Sequence, residues 1–319
     1  MNNINPFLTP ALEAYLIALI YRNTRTSCLS LAALCSQVSH DTLNRLLHAE
    51  FPWSGRLWEF LASRLVKAGG YLVLDDTTWE RWAKHSEAVS WVWSSSAGHI
   101  TQGMQVVLLI WTDGYWKLPV GMRLWRKGEK SKVELANELL SEAAERGLQP
   151  NYVLFDSWYA SRRILNRLEG LKWKYVARIK SNRLLDGESI SRKWRHRFGQ
   201  AIGQLKRVDH TVRIVKDGRR FFVTNELKLR PVEVKQHYRR RQQIEETFRL
   251  LKQEFGWGGS SVRKAKAQVA HLHLGLMAMC LAQHAAYTRK QSVYALKRTL
   301  FCQPIPDQLP FWEDLLAAA

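Results

Sequence analysis

The sequence has few cysteines, few acidic residues and no long apolar run. Its four cysteines include no pair with the spacing of a zinc ribbon, and their scatter favours a reducing compartment over a disulfide framework. The longest apolar run, residues 269–282, is too short to span a bilayer and contains two histidines. The N-terminal segment has neither a basic region nor a small-residue cleavage site. We therefore expect a cytoplasmic protein without a signal peptide or membrane partner.

The shortage of acids leaves a large positive charge. The chain of 319 residues has 48 Lys and Arg against 28 Asp and Glu, a net charge of +20 and a pI of about 10.0. Residues 172–253 alone hold 23 basic and 8 acidic residues. A solvated basic face is one interpretation, but a charge this concentrated favours nucleic acid as the partner.

The first 68 residues have a helical pattern. Two short amphipathic runs are joined near Ser39, which is suited to cap the second run. This arrangement is typical of a helix-turn-helix, although any two short packed helices give the same pattern. We interpret residues 1–68 as a helical DNA-binding region.

The following residues alternate between strand and helix patterns. Residues 71–74 form a short apolar run between Gly-Gly and Asp-Asp, as in a buried strand. Asp113-Gly114 and Asp217-Gly218 are hairpin signals, and residues 130–147 have the apolar spacing of an amphipathic helix. The pattern predicts an α/β fold, a mixed sheet with flanking helices. It also predicts five segments: the helical region, a core (69–182), a β-rich insertion (183–231), a helix that completes the core (232–257) and a helical C-terminal region (258–319).

Two aspartates follow predicted strands. Asp76 comes after residues 71–74, with Asp75 beside it, and Asp156 comes after a second apolar run. Strand ends open into the crevice where ligands bind, and carboxylates there suit hard divalent cations. A turn-forming role for Asp76 and a helix-capping role for Asp156 are the alternatives.

The third carboxylate is expected from residues 232–254, which we predict as one long helix. At 100° per residue, four of its polar residues share an arc of about 60° beside an apolar stripe. These four are Tyr238, Arg241, Glu245 and Lys252. Glu246 falls well away from the core, where it is expected to pair with Arg249. For Glu245 an ordinary ion pair with arginine is the alternative.

The spacing of these four residues resembles the Tyr-Arg-Glu-Lys signature of bacterial insertion-sequence transposases. These belong to the DDE branch, whose ribonuclease-H-like catalytic domain carries a β-strand insertion before the last acid. The order of the acids is also similar, and the resemblance covers roughly residues 69–257. It departs at Gln242 and Gln243, near which many relatives have a tryptophan.

The resemblance implies cut-and-paste DNA transposition by Mg²⁺-dependent strand cleavage and strand transfer. Asp76, Asp156 and Glu245 would be the catalytic acids and would bind two Mg²⁺ ions, with Mn²⁺ as a substitute. Asp76 is preferred to Asp75 because the first aspartate of the family tends to precede a Thr-Thr pair.

The resemblance also implies the contacts with DNA. An aromatic residue of the insertion would hold a flipped base, with Trp194 as the choice and Phe221 and Phe222 as alternatives. The remaining signature residues would contact phosphates of the cleaved end: Tyr238, Arg241 and Lys252.

The expected partners are double-stranded DNA, as transposon terminal inverted repeats and target, and a second copy of the chain in the DNA complex. The expected location is the bacterial nucleoid. A transposase-derived DNA-binding protein without catalysis and another ribonuclease-H-like nuclease are the alternative functions.

Overall fold

The structure is a computed structural model that describes residues 9–22, 27–35, 37–62, 65–94, 97–194 and 196–307. Its helices are α1 (Pro10–Tyr21), α2 (Cys28–Leu34), α3 (His40–His48), α4 (Trp53–Ala62), α5 (Lys132–Glu145), α6 (Arg162–Gly170), α7 (Ile190–Lys193), α8 (Pro231–Arg239), α9 (Gln242–Glu254), α10 (Ala265–Thr288) and α11 (Val293–Phe301). Its strands are β1 (Tyr71–Glu80), β2 (Ser90–Ser94), β3 (His99–Thr112), β4 (Leu118–Trp125), β5 (Tyr152–Phe155), β6 (Tyr175–Ile179), β7 (Leu184–Leu185), β8 (Glu188–Ser189), β9 (Phe198–Gln204), β10 (Thr211–Asp217) and β11 (Arg220–Thr224).

The chain folds into two compact units. The first comprises the described residues within Met1–Arg64, Thr78–Gln105 and Thr247–Ala319, and the second those within Leu65–Thr77 and Val106–Glu246. The five-segment division by function stays a prediction.

The second unit is built on a mixed sheet. Strand β1 pairs in parallel with β5, and β5 in parallel with β6. The sheet continues antiparallel from β6 through β11 and β10 to β9. Helix α5 packs against β4, and α8 packs against β5 and β6. The mixed sheet and the strands of the segment 183–231 are confirmed.

Both predicted hairpins form in this unit. The Asp113 carboxylate accepts hydrogen bonds from the backbone N–H groups of Tyr115 and Trp116 at 2.8 and 2.9 Å, between β3 and β4. Gly218 has a φ of 61° between β10 and β11. Helix α5 begins with a capping box from Ser131 and Glu134.

Two glycines fix the start of β1. Gly69 and Gly70 have φ values of 93° and 66°. A Cβ at Gly70 would lie 2.5 Å from the ring of Trp111, whose indole N–H donates to the Gly69 carbonyl at 3.0 Å. The Gly70 carbonyl accepts from the N–H of Asn151 at 2.9 Å, immediately before β5. The glycine pair therefore ties the beginning of β1 to that of β5.

The first unit is mainly helical, with α10 at its centre. Helix α10 packs against α1, α3, α4 and α11, and almost all of its residues are buried. Ser39 caps α3 as predicted, accepting from the N–H of Thr42 at 3.2 Å. Strand β2 pairs antiparallel with residues 99–103 of β3. In the part of the chain that the structure describes, no helix is long and apolar enough to cross a membrane.

The prediction of one continuous helix over residues 232–254 is wrong. Helix α8 ends at Arg239, and α9 begins at Gln242. The N–H groups of Arg240 and Arg241 each bond a carbonyl three residues earlier at 3.0 Å, so the chain is wound more tightly there than an α-helix. The arc calculated for a single helix therefore does not hold across this junction.

Lys297 is a buried amine in the first unit. Its Nζ donates to the carbonyls of Leu19 and Ile20 at 2.8 and 2.7 Å and lies 4.8 Å from the centroid of the Phe255 ring. Burial lowers the pKa of Lys297 to about 7, against the opposing effect of Glu254. The lysine thus terminates α1 by satisfying two of its last carbonyls.

Lys297→Met should flatten the dependence of stability on pH. Between about pH 7 and 10 the unfolded chain keeps a proton on this lysine that the folded chain has released, so the free energy of unfolding should rise with pH. Urea unfolding of both proteins across this range measures the difference between their free energies, which should grow with pH. Parallel curves would show that Lys297 stays protonated in the fold.

Candidate active site

Two aspartates follow the last register pair between β1 and β5 in the second unit. Leu74 of β1 pairs with Phe155 of β5 in parallel register, and Asp75 and Asp156 are the next residues of the two segments. Register partners on adjacent strands direct their side chains to the same face of a sheet. The neighbouring Asp76 belongs to the alternate position. The register therefore associates Asp156 with Asp75 rather than with Asp76.

Arg241 joins Asp75 to Glu245. Its Nη2 lies 2.8 Å from Oδ2 of Asp75, and its Nη1 donates to Oε1 of Glu245. The side chains of Arg241 and Asp75 are only 15% and 13% exposed, whereas Glu245 is 54% exposed. Arg241 occupies the tight turn between α8 and α9, and this turn directs its guanidinium at the acid. A bridge of this kind holds the two carboxylates near one cation.

Burial dominates the electrostatics of Asp75. It raises the pKa of Asp75 to about 7, and the nearby Asp156 and Asp76 act in the same direction, while Arg241 opposes them. The effect of burial on the pKa of Asp75 is thus larger than the opposing effect of the Arg241 guanidinium. A further cation beside Asp75 would stabilise its ionised form.

Asp76 has a different set of partners. The ammonium of Lys132, the first residue of α5, lies 2.8 Å from its Oδ2. The buried hydroxyl of Tyr159 donates to its Oδ1 at 2.7 Å. Burial, followed by the charge of Asp76, raises the pKa of Tyr159 well above its usual value, so the phenol remains a donor. Lys132 and Tyr159 were not anticipated from the sequence, since each stands far from Asp76 along the chain.

Asp156 is held by the turn that follows β5. Its Oδ1 accepts hydrogen bonds from the backbone N–H groups of Trp158 and Tyr159 at 2.9 and 3.3 Å. This is the turn-forming behaviour of aspartate and fixes the carboxylate at the end of the strand. Asp156 does not cap α6, because Ser161 takes that position.

Tyr238 lies close enough to the acids to be affected by them. Burial raises its pKa to about 12, with Asp156 and Asp75 adding to the effect and Arg241 opposing it. Its ring packs edge-on against Phe222 at 5.1 Å. The structure therefore groups Tyr238 with Arg241 and the acids.

Lys252 belongs to the first unit. Its Nζ donates to the carbonyl of Thr78 at 3.0 Å and lies 5.1 Å from the centroid of Trp79. It follows Glu245 by seven residues on α9, about two helical turns, so both residues are on one face of that helix.

The contacts of Trp194 lie within the β-rich segment. A Cβ on Gly199 would lie 2.5 Å from its ring, and the ring of Phe221 is tilted against it at 6.3 Å. The alternatives Phe221 and Phe222 are buried. A role of Trp194 in holding a base stays a prediction.

The expected pairing of Glu246 with Arg249 is wrong. The carboxylate of Glu246 lies 3.4 Å from the ammonium of Lys117, and its side chain is 40% exposed. It is therefore less exposed than Glu245, whose side chain is 54% exposed. The helical spacing could not show this pairing, because Lys117 lies far from Glu246 along the chain.

The donor atoms of the site fit a hard divalent cation, but they do not converge on one point. Within the described ranges, no group of three or more His, Cys, Asp or Glu side chains is arranged to hold a metal ion. Carboxylate oxygens are the ligands that Mg²⁺ prefers, and the candidate site contains four carboxylate groups. Arg241 and Lys132 pair with three of them. The four carboxylates are those of Asp75, Asp76, Asp156 and Glu245.

Comparison with solved structures establishes the fold. The piggyBac transposase synaptic complex with hairpin DNA is similar over 93% of this chain and 70% of that chain, with 11% identity and a TM-score of 0.56. The Drosophila P element transposase strand transfer complex aligns with 50% of this chain and 36% of that chain at 15% identity, but its TM-score of 0.26 is too low to support an argument. The predicted ribonuclease-H-like fold, a mixed sheet with flanking helices, is confirmed.

The sequence matches the model of one known protein family. No curated protein matches the chain. The model of the family described as Transposase DDE domain matches residues 69–281. This range is more than half of the chain and contains all four carboxylates of the candidate site, and the protein therefore belongs to the transposase DDE domain family.

Proposed function

We propose that the protein is the DNA transposase of a bacterial insertion sequence. It would bind the terminal inverted repeats of its element as double-stranded DNA, cleave the strands and join them to a target. The observation that supports this most is the set of acids around Arg241, with Asp75 and Glu245 on the same guanidinium and Asp156 next to the last register pair of β1 and β5. The net charge of +20 supports a polyanionic substrate.

The residues that would hold the metal are Asp156, Glu245 and one of the two neighbouring aspartates. The resemblance to the insertion-sequence transposases favours Asp76, whereas the strand register and the bridge through Arg241 favour Asp75. We propose Asp75 for this position. Asp76 would then keep Lys132 and Tyr159 in place.

Two Mg²⁺ ions, or Mn²⁺ in their place, supply Lewis-acid activation of the phosphate and of the attacking oxygen when bound. Arg241 neutralises the acids until then and can turn its donors to a phosphate of the cleaved strand. Tyr238 and Lys252 would contact the same strand, the first as a hydroxyl donor and the second as a cation. The freed 3′ end would then attack its target.

The remaining parts of the proposal concern assembly. Helices α2 and α3 would contribute a helix-turn-helix to end recognition, supported by the Ser39 cap between them. Two copies of the chain would act together in the DNA complex, because two transposon ends must be joined. The proposed site of action is the bacterial nucleoid.

Glu245→Gln should lower the rate of Mg²⁺-dependent cleavage by about a thousandfold or more, because the neutral amide is a poor metal ligand. The side chain is exposed, so binding of the transposon end should change little. Cleavage of a labelled duplex that carries the inverted repeat measures the rate, and a mobility shift measures binding.

Glu246→Gln is the matched control, since it changes the adjacent glutamate and breaks only the ion pair with Lys117. Its cleavage rate should stay within about threefold of wild type, in keeping with an exposed ion pair. Equal losses in the two variants would refute the assignment of Glu245.

Asp75→Asn and Asp76→Asn distinguish the two aspartates. If Asp75 is the metal ligand, D75N should abolish cleavage at every Mg²⁺ and Mn²⁺ concentration. D76N should retain cleavage at a reduced rate, because only the position of Lys132 and Tyr159 changes. The opposite ranking would assign the ligand to Asp76, as the resemblance implies. Thermal unfolding of both variants controls for loss of fold.

A catalytically silent DNA-binding protein is the second candidate. Its support is that Arg241 and Lys132 occupy three of the four carboxylates, and that no three-ligand cluster is formed within the described residues. Incubation of the wild-type protein with end DNA, target DNA and Mg²⁺ should produce joined 3′ ends. Binding without cleavage would favour the silent protein, and hydrolysis without joining would favour a nuclease.

A further inference from the structure

Trp158 is an exposed aromatic residue in the turn that holds Asp156. Its side chain is 54% exposed. Its backbone N–H donates to Oδ1 of Asp156 at 2.9 Å, so the backbone of Trp158 is tied directly to the acid. The sequence alone drew no attention to Trp158.

Two lysines contact the Trp158 ring. The ammonium of Lys132 lies 4.9 Å and that of Lys180 lies 5.1 Å from the ring centroid. Lys132 is held in addition by Asp76, whereas Lys180 is exposed to solvent. The Trp158 ring and the two lysines are thus connected with two aspartates of the second unit. Lys132 contacts Asp76, and the backbone of Trp158 contacts Asp156.

The combination of an open aromatic ring and cations matches one kind of ligand. Single-stranded nucleic acid is bound by stacking of its bases on aromatic rings and by pairing of its phosphates with lysine or arginine. A paired and stacked base in a duplex cannot offer its face to a protein ring, so the ligand must have an unpaired nucleotide. Among the tryptophans that the structure describes, the exposed Trp82 and Trp91 have a different setting, because they pack edge-on against each other at 5.9 Å.

We propose that Trp158, Lys132 and Lys180 form a binding site for an unpaired nucleotide of a DNA strand, next to the acids. The base stacks on the Trp158 ring, and the ammonium of Lys180 leaves the ring to contact a phosphate. The site rests on the proposed action on DNA, but its occupation requires neither metal nor cleavage. It also differs from the predicted role of Trp194, whose contacts lie in the β-rich segment.

The test compares the affinity of the full chain for single-stranded and duplex DNA of one sequence, in the presence of EDTA. The single strand carries 2-aminopurine, whose fluorescence is quenched by stacking. Trp158→Ala should weaken single-strand binding by about tenfold or more and abolish the quenching, with duplex affinity changed by less than about threefold. Trp158→Phe should retain most of the affinity, because a ring is still present.

Two further variants make the result specific. Trp91→Ala removes a tryptophan of the same exposure, 54%, and should leave single-strand affinity unchanged. Lys180→Met should reduce the slope of log affinity against log salt by about 0.7, the value for one phosphate contact with a single strand. Thermal unfolding confirms that each variant is folded.

Three outcomes would overturn the proposal: W158A binds the single strand as tightly as wild type, it loses single-strand and duplex affinity equally, or W91A loses as much as W158A. Because the assay contains no metal, it is independent of catalysis. A protein that fails to cleave can still show the Trp158 effect, and a protein that cleaves normally can lack it.

Discussion

The guanidinium of Arg241 is the interaction on which the candidate site depends. It is nearly buried and contacts Asp75 on the sheet and Glu245 at the start of α9. A carboxylate as buried as Asp75 is costly without a partner, and loss of one member of a buried ion pair leaves the other uncompensated. The tight turn between α8 and α9 supplies Arg241 at the required place, so the break between the two helices is part of the site.

A second cation, Lys132, pairs with a third carboxylate of the site. Asp75 and Glu245 share Arg241, and Asp76 pairs with Lys132. In a chain with a net charge of +20, the site itself holds more acids than cations, four carboxylates against Arg241 and Lys132. A divalent cation that entered the site would compete with Lys132 and Arg241 for the carboxylates. Each of these two side chains can also bind a phosphate. Metal binding and DNA binding are therefore expected to favour each other.

The sequence was sufficient for features set by local chemistry. The start of strand β1, the two Asp-Gly hairpins, the Ser39 cap and the mixed sheet follow from patterns within a few residues. The expectation that Asp75 and Asp76 follow the strand is wrong, because β1 continues through both of them to Glu80. It was insufficient where distant residues meet. Nothing local could show that Lys117 would take Glu246 from Arg249, or that Tyr159 would bond Asp76. The proposal of Asp75 over Asp76 draws on the register of β1 on β5, which the propensities of single residues do not contain.

The fit of Trp111 against Gly70 has a consequence in the middle of β1. Five residues separate Gly70 from Asp75, about 16 Å along an extended strand. A shift of β1 by one residue would turn every side chain to the opposite face and move Asp75 away from the position in which it meets Arg241. An apolar contact therefore selects which negative charge meets Arg241. A methyl group at Gly70 would disturb this contact, and with it the placement of Asp75, while every charged residue stayed unchanged.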